Sequence, residues 1–122
     1  MDKGARNIVK HLCILGRWTD FSAMRVLSIL NENNRDTYNR VKKFSFISKQ
    51  SENIFSFDRS IQKILLDHLL KNESEIIFQT RAAAGEFFKS AFYEVEAEKN
   101  QTITNEDRIL FFKFWAEIII PP

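Results

Sequence analysis

The chain has 122 residues, of which 44% are hydrophobic and twelve are Phe. This length suits one domain, or one domain with a helical extension, and the apolar content excludes a chain that stays disordered. Only three Gly and two Pro are present, and both Pro stand at the C-terminal end, so long loops are not expected. The composition predicts a mostly helical fold.

The net charge of +2 is unevenly distributed along the chain. Residues 1–50 carry ten Lys or Arg against four Asp or Glu, a net charge of +6, whereas residues 51–122 carry eight against twelve, a net charge of −4. A basic half allows contact with nucleic acid or with an acidic protein. The same distribution also arises if the two halves attract each other, or if each half only solvates its own surface.

Apolar residues spaced three and four apart predict three helices in the first half of the chain. The first runs through "ARNIVKHLCILG" and ends at Gly16, a residue suited to a left-handed C-cap. The second begins after Asp20, a suitable N-cap, and its pattern predicts burial of Phe21, Met24, Val26, Leu27, Ile29 and Leu30. Asn34 then caps a third helix through "RDTYNRVKKF".

Alternation of apolar and polar residues from Phe44 onward predicts two β-strands. The strands are centred on Phe46 and Phe55, and the polar segment "SKQSEN" joins them. Because two strands alone are marginally stable in water, the hairpin must pack against the helices. We therefore expect residues 49–53 to be exposed, and we expect burial of four aromatic side chains: Phe44, Phe46, Phe55 and Phe57.

A fourth helix follows the hairpin and is capped by Asp58 or Ser60. Its predicted apolar stripe consists of Ile61, Ile64, Leu65, His68 and Leu69. Three helices, a hairpin and a further helix are the element order of a winged helix-turn-helix domain. The predicted fold is therefore mainly α, with a winged helix-turn-helix domain at residues 5–71 whose short β-hairpin is the wing.

An antiparallel helical hairpin is predicted for residues 73–122. A long helix through "ESEIIFQTRAAAGEFFKSAFYEVEAEKN" is followed by the turn "QTITN" and the helix "NEDRILFFKFWAEIII". One side of the last helix (Leu110, Phe114, Ile118) is expected to pack on the long helix, on the face that carries Ala84, Phe88 and Phe92. The opposite side then forms an apolar interaction patch of Phe112, Trp115 and Ile119. Monomers seldom expose such a patch, so we expect a homodimer or higher oligomer built through this helix.

The third helix carries residue types with which winged helices bind DNA. The candidate base-reading and phosphate-binding side chains are Arg35, Tyr38, Asn39, Arg40, Lys42 and Lys43. Lys49 adds a cation on the predicted wing. The alternative is an ordinary solvated face, and Asp36 interrupts the basic run.

No enzyme motif stands in the sequence. With Gly4, Gly16 and Gly85 as the only glycines, a phosphate-binding G-x-x-x-x-G-K-[ST] loop is excluded, and H-E-x-x-H and G-x-S-x-G are absent too. Cys13 is the only cysteine and is interpreted as a buried structural thiol, and His11 and His68 as residues at the edge of the core. We therefore expect no catalytic residues, no cofactor and no metal site.

Targeting signals are also missing from the sequence. No signal peptide opens the chain, and its longest apolar runs are too short to span a bilayer. We expect a cytoplasmic protein without membrane contact.

The segment "IFSFDRSIQKILLDHLLKNESEIIFQTRAAAGEFF" resembles a junction found in STAND-type signalling ATPases. There, a winged helix ends in a pattern like aromatic-x-aromatic-His-x-x-hydrophobic-x-x-x-Leu, and an Arg-Ala-Ala-like helix leads into tetratricopeptide-like repeats. The resemblance covers about residues 5–92, and Ala84, Phe88 and Ala91 match the second half of a tetratricopeptide motif. It implies a regulatory module that holds neighbouring domains of a larger chain or a protein partner, with the ATPase outside this chain.

The resemblance implies no nucleotide site here. STAND proteins of the apoptotic and plant-resistance kind place a His, which contacts bound ADP, at the start of the helix after the wing, and Asp58 holds that position here. A carboxylate facing a phosphate is electrostatically unfavourable. Two functions stay open: a regulatory protein-interaction module, which we favour, and a DNA-binding transcriptional regulator that uses helix three and the wing.

Overall fold

The computed structural model describes residues 1–98, which form five α-helices and three short strands. In chain order they are α1 (Lys3–Leu15), β1 (Arg17–Trp18), α2 (Asp20–Ile29), α3 (Arg35–Val41), β2 (Ile47–Lys49), β3 (Phe55–Phe57), α4 (Arg59–Asn72) and α5 (Ser74–Glu98). The predicted mainly α fold with a short β-hairpin is confirmed. The last predicted helix, with its patch of Phe112, Trp115 and Ile119, lies outside the described residues.

Short polar side chains begin the helices, as the sequence predicts at most positions. Asn34 caps α3, and the Asp58 carboxylate caps α4 by accepting a 3.0 Å hydrogen bond from the Ile61 N–H. The prediction that Asp20 caps α2 is wrong, because Thr19 does so in a reciprocal capping box with Ser22. Asp20 is instead the first helical residue, which leaves its carboxylate free for long-range contacts.

The three strands form one antiparallel sheet in the order β1-β3-β2. Trp18 on β1 pairs with Phe55 on β3, and their rings stack with centroids 6.4 Å apart. Strand β1 is too short to leave a periodic signal, so the sequence did not predict it. It joins the hairpin to the segment between α1 and α2.

The predicted strand centre at Phe46 is wrong, since Phe46 precedes β2, whereas the predicted centre at Phe55 lies within β3, one residue from its middle at Ser56. Phe44 and Phe46 belong to the turn after α3, closed by a 3.0 Å hydrogen bond from the Ile47 N–H to the Phe44 carbonyl. A turn with two aromatic residues mimics strand alternation in sequence. Burial of Phe55 and Phe57 and exposure of residues 49–53 are confirmed, whereas Phe44 and Phe46 are only half-buried.

Helix α1 lies at the centre of the fold and contacts α2, α3, α4 and α5. Its buried residues are Ala5, Ile8, Val9, His11, Leu12, Cys13, Ile14 and Leu15. Helix α5 contributes residues to the same core, namely Ala83, Ala84, Phe87 and Phe88. The predicted boundary between units 5–71 and 73–122 stays a prediction.

Buried polar contacts tie α1 to α5. His11 is 6% exposed, and its Nδ1 atom lies 2.8 Å from the hydroxyl of Thr80, which is fully buried. Burial, helped by the neighbouring Lys10 charge, lowers the pKa of His11 to about 4, so the ring is neutral at pH 7. Next to it, Lys10 forms a 2.9 Å ion pair with Glu73, just before α5.

Hydrogen bonds between Gln62 and Cys13 join α4 to the C-terminal end of α1. The Gln62 side-chain amide donates a 2.8 Å hydrogen bond to the Cys13 carbonyl, and the Cys13 thiol donates to the Gln62 carbonyl at 3.6 Å. Burial raises the pKa of Cys13 to about 12, as expected for a structural thiol. Gly16 ends α1 with φ +76°, and a Cβ atom there would lie 2.7 Å from Gln62 Nε2.

We predict that Gly16→Ala lowers the free energy of unfolding by about 1–3 kcal/mol, because it combines left-handed backbone with a clash against the Gln62 amide. Gly4→Ala is the matched control, since a Cβ atom there meets only ordinary contacts in a helix that favours Ala. Urea unfolding of both variants provides the measurement. Equal stability of the two variants would contradict the role assigned to Gly16.

Candidate interaction surfaces

Four of the predicted DNA-binding residues on or next to α3 are exposed to solvent. Arg35 and Asn39 lie one turn apart on the helix, Arg40 stands near its end, and Lys43 follows in the next turn. Arg40 forms an exposed 3.3 Å ion pair with Asp2, and such pairs contribute little stability, so its guanidinium can exchange this partner for another anion. The outward side of α3 is therefore polar and basic.

The prediction that Tyr38 and Lys42 face DNA is wrong. Tyr38 is 1% exposed, and its hydroxyl donates a 2.6 Å hydrogen bond to the Asp20 carboxylate. Burial, and then the bond to Asp20, raise the pKa of Tyr38, which keeps the hydroxyl protonated as a donor. The Lys42 amino group lies 3.0 Å from the same oxygen and 5.1 Å from the Phe55 ring centroid. These contacts fix α3 against α2 and β3, a role that residue types alone did not reveal.

The wing offers little positive charge. Lys49 is exposed at the end of β2, as predicted, but Glu52 follows in the same loop, and residues 47–57 contain no other charged side chain. The loop is closed by a 2.7 Å hydrogen bond from the Gln50 N–H to the Ile54 carbonyl. The wing therefore has no net charge with which to attract a phosphate backbone.

Helix α4 is rotated relative to its predicted orientation. Leu69 is buried and Leu65 half-buried as predicted, but Ile61, Ile64 and His68 are exposed, and Ile64 is 71% exposed. The Gln62 amide, bound to the Cys13 carbonyl, lies on the inward side of the helix. Since Ile61 and Ile64 flank Gln62 on either side in sequence, this bond turns part of the apolar stripe outward.

The exposed stripe borders a groove of about 440 Å³ between α4, α1 and the hairpin. We call it the α4 groove, and it is lined by Val9, Phe46, Phe57, Ile61, Ile64, Leu65 and His68. The rings of Phe46 and Phe57 pack within it at a centroid distance of 5.1 Å. This site is not predicted by the sequence, although the apolar stripe of α4 is wider than a small core can cover and is a signal for it.

Other exposed apolar side chains stand near the junction of α4 and α5. Leu70 on α4 and Phe78 on α5 are both exposed. Leu70 borders a second depression of about 470 Å³ on the other side of α4, together with Arg59, Gln62, Lys63, Leu66 and Asp67. Apolar exposure is thus concentrated on α4 and the start of α5.

Within residues 1–98, no helix is both long and apolar enough to cross a lipid bilayer. In the same part of the chain, no three His, Cys, Asp or Glu side chains are grouped so as to hold a metal ion. The chain matches no protein-family model, no curated protein and no solved structure.

Proposed function

We propose that this chain is a non-catalytic regulatory module that binds another protein through the α4 groove, and that it acts in the cytoplasm. The element order α1-β1-α2-α3-β2-β3-α4 and the sheet order β1-β3-β2 support a winged helix as its fold. The resemblance of residues 5–92 to STAND-type signalling ATPases supports a regulatory role. In such a setting, the partner is a neighbouring domain or a separate protein.

The α4 groove is the observation that carries this proposal. Ile64 is 71% exposed beside Ile61 and a pair of aromatic rings, in a helix that packs against the core through Leu65, Leu66 and Leu69. Contiguous apolar surface with a polar border is typical of protein–protein contact sites. Water contact with this groove is unfavourable, so covering it with a partner stabilises the complex.

The geometry of Asp58 supports a module without a nucleotide. Its carboxylate accepts a hydrogen bond from the Ile61 N–H as the N-cap of α4. Asp58 is the residue that the resemblance aligns with an ADP-contacting His, and here its side chain caps the helix. A negative charge at this position repels phosphate. The proposed role is therefore protein binding without nucleotide sensing.

We predict that a photoreactive amino acid at Ile64 forms a discrete adduct with one protein in cells, because this position is exposed in the groove. The same amino acid at Lys49, which is exposed on the wing, is the control and should not form that adduct. Ile61→Asp should abolish the Ile64 adduct by placing a charge in the apolar contact. Mass spectrometry of the adducts is the measurement, and identical adducts from both positions would contradict the proposal.

DNA binding is the second candidate function, and the exposed side of α3 favours it. Arg35, Asn39, Arg40 and Lys43 are all accessible there, and Arg and Asn are side chains that pair with base edges. Asp36 and the nearly neutral wing weaken this candidate. Burial of Tyr38 and the ion pair of Lys42 with Asp20 reduce the number of phosphate and base contacts that the site can make.

If the chain binds DNA, its affinity for a random duplex should fall steeply as salt rises from about 50 to 200 mM. Arg40→Ala and Lys43→Ala should each flatten the plot of log affinity against log salt by about one unit, because each removes one phosphate contact. Lys63→Ala on α4 is the control and should leave the slope unchanged. Fluorescence anisotropy measures the affinities, and absence of binding at low salt would exclude this candidate.

A further inference from the structure

The two helices beside the α4 groove carry strongly unbalanced charge. Helix α1 contains no acidic residue, and Asp67 is the only one in α4. Against it stand six cations on the two helices: Lys3, Arg6, Lys10, Arg59, Lys63 and Lys71. One Asp or Glu against six Lys or Arg gives these helices a net charge of +5.

Most of this positive charge has no ion-pair partner within residues 1–90, the part of the chain whose side chains the structure describes. The ion pairs found there are Lys10–Glu73, Arg40–Asp2 and Lys42–Asp20, so Lys10 alone among the six cations is paired. The carboxylates of Asp2 and Asp58, which are the N-caps of α1 and α4, keep their negative charge and reduce the net charge of the two capped helices to +3. Arg59 and Lys63 border the depression on the other side of α4, so Arg6 and Lys71 are the exposed, unpaired cations that stand next to the groove lining.

Their positions place some of these cations at the border of the groove. Arg6 stands one helical turn before Val9 on α1, and Lys71 stands one turn after His68 on α4. Each cation therefore lies at the end of a helix face that lines the groove. Ile61, Ile64, Leu65 and His68 follow the i, i+3, i+4, i+7 spacing along α4, a length of about 10 Å. A straight apolar track of this kind fits a helix laid along it.

We propose that the α4 groove binds a single amphipathic helix of a partner protein, whose apolar stripe is bordered by Asp and Glu. This rests on the proposed protein-binding function and adds the chemistry of the partner. A nucleic acid would match the charge but not the apolar lining of Ile61, Ile64 and Phe46. A symmetric dimer through the groove would bring two basic faces together, which is unfavourable.

Titration of the full 122-residue chain with three designed helical peptides tests this proposal. The peptides, about 18 residues long, share one Leu/Ile stripe and differ only in its borders, which are Glu, Gln or Lys. We expect the Glu-bordered peptide to bind at least about tenfold more tightly than the Lys-bordered one, with a difference that shrinks as salt rises. Amide NMR shifts should change mainly at Ile61, Ile64 and His68.

Variants at exposed positions identify the site and its charge selection. Ile64→Asp should abolish binding, whereas the double variant Arg6→Glu and Lys71→Glu should reverse the preference between the Glu- and Lys-bordered peptides. Arg35→Glu on α3 is the matched control, and it should leave the preference unchanged. Circular dichroism of each variant verifies that its helices are intact.

Several results would overturn the proposal. Equal affinity for all three peptides would contradict a partner with acidic borders. A discrete cross-link at Ile64 would in that case still support the proposed protein-binding function. Amide NMR shifts confined to α3, or displacement of the peptide by duplex DNA, would indicate that the ligand of this surface is a nucleic acid. A chain that dimerises in sedimentation, and becomes monomeric with Ile64→Asp, would make a second copy the occupant of the groove.

Discussion

Burial of α1 is the constraint on which the rest of this structure depends. A helix that contacts α2, α3, α4 and α5 must find a partner for every polar group that it carries inward. His11 meets Thr80 on α5, and the Cys13 carbonyl meets the Gln62 amide on α4. These directional bonds specify the rotation of α4 and α5 about their own axes. Apolar packing alone specifies that rotation far less selectively.

The surface of the molecule follows from these interior bonds. Because Gln62 faces α1, the residues beside it, Ile61 and Ile64, face solvent and create an apolar groove. At α3, Asp20 accepts a hydrogen bond from the buried Tyr38 and pairs with Lys42, which reduces the free basic surface of that helix. Both effects favour protein binding at α4 over DNA binding at α3.

Local features of this fold are predictable from sequence, and long-range ones are not. The caps at Gly16, Asn34 and Asp58 depend on residues within one helical turn, so their types suffice to identify them. The side of α4 that faces the core depends on a bond between residues 49 positions apart, and the burial of Tyr38 depends on one 18 positions away. Phe44 and Phe46 were misassigned because a turn and a strand can share the same alternation.

The pH dependence of unfolding tests the buried α1–α5 contact most directly. His11 has a pKa of about 4 in the folded chain against 6.5 when unfolded, so the unfolded state binds the proton first as pH falls. We expect the free energy of unfolding to drop by roughly 3 kcal/mol between pH 6.5 and pH 4, and His11→Gln to remove this part of the drop. His68→Gln, which leaves the buried ring in place, should retain it. The same pH dependence in the unmodified chain and in His11→Gln would contradict a buried, neutral His11 at the centre of the fold.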